Sequence, residues 1–158
     1  MTIQDWFDKY GESHQNPFNK AIHWICIPSI FFSLIGLLSL IPLNLGSEMV
    51  PAHLEEQMHL GSLFILFGLV FYIRLSVPIA LGMILVSILI LRGVTGLHRM
   101  DVDVLTVNLI IFLVAWAGQF IGHNIEGTKP SFLDDVKFLL IGPAWLLGFI
   151  YKKLRIKY

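Results

Sequence analysis

The sequence predicts an all-α integral membrane protein: a bundle of four transmembrane helices followed by a C-terminal broken or re-entrant apolar helix, with five full spans as the alternative. Three observations predict it. Hydrophobic residues make up 56% of the chain and charged residues 14%, with mean hydropathy +0.74, where a soluble domain carries about 25% charge. Apolar runs recur between short polar loops. In the resulting topology all but Arg92 and Arg99 of the 11 Lys and Arg residues share one side, which the positive-inside rule makes cytoplasmic.

The elements follow in order within one domain, 1–158. Residues 1–20 read as an interfacial segment, with Trp6, Phe7 and Tyr10 on one helical face and their rings at headgroup level. Gly11 to Pro17 breaks that helix and carries His14. The first span is 21–43, long enough for a ~30 Å hydrocarbon core, with Pro28 marking a kink or a late helix start. The loop 44–57 holds Glu48, Glu55 and Glu56 without Lys or Arg, so it is extracytoplasmic; His53 and His59 beside it read as surface or interfacial histidines. Spans 58–73 and 77–94 form a hairpin around Arg74. An Arg99–Asp103 pair accounts for charge in the next loop, which also holds His98 and Asp101. Span 104–121 contains Asn108, which should face other helices and not lipid. The last apolar run, 136–151, is interrupted at Gly142 and Pro143 and precedes a basic tail. A re-entrant path keeps that tail cytoplasmic.

Several function classes lose support. Zero net charge without a basic stripe argues against nucleic acid. The single Cys26 excludes an intramolecular disulfide. Residues 1–10 lack the basic and apolar regions of a cleavable signal peptide. No Ser-His-Asp arrangement, phosphate-binding glycine loop or thiol cluster is present.

What remains is a polar constellation at helix ends. Gln119, His123 and Glu126 are spaced i, i+4 and i+7, one face of a helix. Asn19 and His23 are i and i+4 on the first span. Any even number of intervening spans puts His14, His23, His123 and Glu126 in the same compartment. Imidazoles with a carboxylate and open positions suit non-haem Fe(II). Asn19 and Gln119 are candidates to hydrogen-bond the second imidazole nitrogens and orient the rings. Glu126 is the candidate catalytic carboxylate, with ligand, base and helix-end acid all open as its role. Lys20 and Lys129 are candidates to receive a substrate carboxylate.

The run Tyr10-x-x-x-His14-x-x-x-x-Asn19-x-x-x-His23-x-x-x-x-Pro28 and the run Gln119-x-x-x-His123-x-x-Glu126-x-x-x-Pro130 resemble the paired motifs of a small membrane family. Long labelled a domain of unknown function, it includes the eukaryotic 2-hydroxy fatty acid dioxygenase of the endoplasmic reticulum. The resemblance covers nearly the whole chain. It implies Fe(II)-dependent α-oxidation, in which a long-chain 2-hydroxy fatty acid and O₂ give a chain one carbon shorter. It also implies His14, His23 and His123 as the metal-site histidines. Short extracytoplasmic loops and compact size favour a bacterial inner membrane over the endoplasmic reticulum. Two other classes compete. A di-iron hydroxylase or desaturase would carry His-x-x-x-His boxes, which no cytoplasmic segment has. A scaffold or transporter would be expected to show internal repeats, and none accompanies the Gly142–Pro143 break.

Overall fold

The computed structural model describes residues 1–43, 51, 55–127 and 138–158. Among these are six helices and no strand: α1 (Ile3–Gly11), α2 (Pro17–Leu38), α3 (Leu60–Leu75), α4 (Val77–His98), α5 (Val104–Glu126) and α6 (Ile141–Leu154). Three of them, α2, α4 and α5, are long and apolar enough to cross a membrane. The 16 residues of α3 rise about 24 Å and the 14 of α6 about 21 Å, both short of a ~30 Å core if upright. Ile25, Phe67, Leu81, Leu85, Leu89 and Val114 are exposed. An apolar outer surface of this kind is what lipid contact requires.

α1 begins with a capping box, in which Thr2 Oγ1 accepts from the Asp5 N–H at 3.2 Å and Asp5 returns the contact to the Thr2 N–H at 2.6 Å. Its apolar face packs against protein, a contact its aromatic pattern did not suggest. Ile3, Phe7 and Tyr10 are buried, and Tyr10 meets the edge of Trp145 on α6 at 5.1 Å. The rings have a protein partner that local periodicity does not reveal. α2 starts earlier than the expected span, capped by Asn16 with Pro17 in the first turn, and runs through Pro28 without a break.

The most extensive helix pairing is α2 against α5, and it places the site. The two run antiparallel, so the start of α2 meets the end of α5. Close approach has a sequence signature, Gly118-x-x-x-Gly122, which is the small-residue spacing of membrane helix packing. At the other end of the pair Gly36 makes room for Asn108: a Cβ there would sit 2.2 Å from Asn108 Oδ1. Asn108 is fully buried and donates to the Val104 carbonyl at 2.8 Å, facing its neighbour helix as expected.

Three loop expectations change. α6 is continuous from Ile141, so Gly142 and Pro143 lie in its first turn and not at a break within it. Proline is tolerated there because first-turn N–H groups have no intrahelical partner. Arg99 pairs with Glu56 at 2.8 Å on the surface, while Asp103 caps α5. His59 is buried: its Nδ1 accepts from the Ser62 N–H at 3.1 Å and caps α3. His53, Glu48 and the start of the 136–151 run lie outside the described residues.

Candidate metal centre

His14 sits between α1 and α2, where no helix holds it, yet it is only 1% exposed. Its N–H bonds the Gly11 carbonyl at 3.0 Å, and its ring stacks on Tyr10 at 4.2 Å. Its Nδ1 lies 2.6 Å from the Tyr10 carbonyl oxygen. His23, in the second turn of α2, is fully buried, with Nδ1 2.9 Å from the Asn19 carbonyl oxygen. A carbonyl oxygen only accepts, so both Nδ1 atoms carry the hydrogen. That leaves Nε2 as the acceptor atom of each ring, and these two atoms lie 2.8 Å apart.

Two lone pairs at that distance repel unless a cation lies between them, either a shared proton or a metal ion. Adjacent nitrogens on one first-row metal ion, bound at about 2.1 Å, sit about 3 Å apart. His123, brought in by α5, is also buried, with its ring centroid 5.2 Å from that of each of the other two. One nitrogen from each ring falls within 4.8 Å of the others, and this is the one group of at least three such donors among the described residues. The buried triad could therefore hold a metal ion, with both Nδ1 contacts fixing tautomer and ring plane as ligating histidines require.

Glu126 lies one turn beyond His123 but outside this triad. Its carboxylate accepts from the Gln15 N–H at 2.7 Å, the Asn16 N–H at 2.9 Å and the Asn19 amide at 3.0 Å. It ties the His14 loop to the end of α5 and caps the start of α2. The orienting contacts expected from side chains are made by main chain: His23 uses the Asn19 carbonyl, while the Asn19 side chain serves Glu126. Gln119 bonds neither His14 nor His23. It is buried beside a cavity of about 30 Å³, and its Oε1 has no hydrogen-bond partner. Lys20 is half-buried, and Lys129 lies outside the described residues. His98 is committed to Ser39 Oγ at 2.7 Å, away from the triad.

The sequence reading missed the part played by Gly122. A Cβ there would lie 2.3 Å from Asn19 Oδ1 and 3.5 Å from His23 Cε1. Gly122→Ala should push the Asn19 amide off Glu126 and spread α2 from α5, at an overpacking cost of about 1–3 kcal/mol. Metal affinity should fall about tenfold. Metal titration and thermal unfolding in detergent check this, and unchanged affinity would mean that helix spacing does not control the triad.

Comparison with known proteins bears on this geometry. No solved structure matches the chain. A curated relative, the 2-hydroxy-palmitic acid dioxygenase MPO1 of Saccharomyces cerevisiae, is 28% identical over 148 residues, covering 90% of this chain and 76% of the relative. A family model described as "2-hydroxy-palmitic acid dioxygenase Mpo1-like" matches residues 1–154, which include all three histidines and Glu126. With nearly its whole length matched, the chain belongs to the Mpo1-like family.

Proposed function

We propose that this protein is a membrane-embedded, Fe(II)-dependent dioxygenase that shortens long-chain 2-hydroxy fatty acids by one carbon. The observation that carries the metal is the 2.8 Å approach of two Nε2 atoms whose rings are already anchored through Nδ1. The substrate class follows the name of the yeast relative. In this reading His14, His23 and His123 hold the ion. Three neutral imidazoles would suit a divalent ion whose substrate brings its own negative charge. When bound, Fe(II) supplies Lewis acidity and the redox capacity to activate O₂. The overall reaction balances without another reductant: one 2-hydroxy acid and one O₂ give the shortened acid, CO₂ and water.

The chain's own residues orient and enclose. Tyr10 and Asn19 hold two imidazoles through their carbonyls, and Glu126 holds the His14 loop against α5. Lys20 and Lys129, close in sequence to this end, would draw a fatty carboxylate from the membrane surface. The bundle spans the bilayer four times, with α6 as a re-entrant or interfacial helix and the site on the cytoplasmic side. Iron-loaded protein given 2-hydroxypalmitate and O₂ should yield the C15 acid. A product retaining all sixteen carbons would instead support a hydroxylase or desaturase.

A further inference from the structure

We propose that the side-chain amide of Gln119 recognises the 2-hydroxyl group of the substrate and so sets the preference for 2-hydroxy acids over unsubstituted ones. The inference deepens the function proposed above and rests on it.

Gln119 lies on α5 one turn before His123, so it occupies the same helix face one layer deeper. The cavity of about 30 Å³ that it lines has room for about two waters. Tyr10, whose ring stacks on His14, forms another wall, so the cavity is separated from His14 by one ring and from His123 by one turn of α5. Ile27, Ile30, Leu139 and Pro143 make the remainder largely apolar. A polar head at the triad with an alkyl chain leading away suits such walls.

Gln119 is 6% exposed and its Oε1 has no hydrogen-bond partner among the described residues. Buried acceptors are nearly always satisfied, and an exception calls for a specific account. Of the other orphaned amide oxygens among the described residues, Asn19 Oδ1 lies against Gly122 and Asn108 Oδ1 against Gly36. Helix packing covers those two. Gln57 belongs to the opposite end of the bundle, where it donates to Thr95 at 2.7 Å. Gln119 is thus the orphaned amide oxygen that lines a cavity, one turn of α5 away from His123. The head of an ionised 2-hydroxy acid has one O–H donor, the 2-hydroxyl, and needs one acceptor for it. An amide provides that acceptor without adding a second negative charge beside the substrate carboxylate. An unsubstituted acid would fill the same space and leave the amide unpaired, which is how a polar site rejects an analogue lacking a hydroxyl.

The test uses the full-length protein, loaded with Fe(II) in detergent and kept free of O₂. Binding of 2-hydroxypalmitate and of palmitate is followed by tryptophan fluorescence, since Trp116 also lines the cavity. The wild type should favour 2-hydroxypalmitate at least about tenfold. Gln119→Met should bring the two affinities within about twofold by weakening the hydroxy acid alone, and Gln119→Glu, which keeps an acceptor, should retain the preference. Gln119→Leu serves the same comparison if the methionine variant melts early. A Met or Leu variant with the wild-type preference overturns the role of Gln119 and leaves the proposed function standing. A wild type with no preference brings down both.

Discussion

His23→Ala should abolish metal binding. The side chain is fully buried, its Nδ1 is anchored, and its Nε2 faces that of His14 at 2.8 Å. Removing it leaves two imidazoles from distant segments, and affinity should drop by at least about 100-fold, beyond what loss of an orienting contact costs. The second readout is stability. Metal that binds only the folded state stabilises it by about 2.7 kcal/mol at a hundredfold excess over Kd. Wild-type protein should therefore melt several degrees higher with metal than without, and the variant should show no such rise. Elemental analysis that still finds one metal per His23→Ala chain would refute the triad as the binding site.

Glu126→Ala should weaken metal binding about 10- to 100-fold while leaving all three histidines in place. The carboxylate accepts two backbone N–H groups and the Asn19 amide, joining the His14 loop to the helix that carries His123. Hydrogen bonds to a charged group contribute about 1.5–3 kcal/mol each. Gln15 is exposed, so water replaces part of that, and a loss of about 2–3 kcal/mol is expected overall. Glu126→Gln keeps one acceptor and should fall between the two. The decisive comparison is turnover at saturating metal. A holding role predicts that kcat for Glu126→Gln stays within about tenfold of wild type, whereas loss of a general base removes about 10²–10⁴-fold. A collapse of kcat with metal fully bound would make Glu126 catalytic.

Both expectations show what spacing can and cannot convey. Helical periodicity placed Gln119, His123 and Glu126 on one face, and counting spans placed that face near His14 and His23. Which atom meets which lay beyond it. Spacing says that Asn19 is one turn from His23, but the contact runs through the Asn19 carbonyl while its side chain turns to Glu126. For Glu126 the spacing left ligand, base and helix-end acid all open. Its real partners are backbone N–H groups more than a hundred residues away, invisible to any local pattern. The docking of α1 on α6 is likewise a tertiary choice: an aromatic face fits a membrane interface as well as it fits Trp145. The glycine pair of α5 was overlooked, because only a Cβ built at Gly122 shows that α2 comes so close there.

The order of the three histidines in the chain has a consequence for biogenesis. His14 and His23 leave the ribosome before His123, which follows a hundred residues after His23. At roughly 5–20 residues per second this is a delay of about 5–20 s. Through that interval the nascent protein carries two thirds of a site. The last donor arrives only once α5 has been inserted and has found α2. A captured ion would then staple together segments a hundred residues apart, closing a long loop. Metal occupancy would thereby report that membrane insertion is complete, and a chain stalled or misinserted before α5 would remain unstapled and open to degradation.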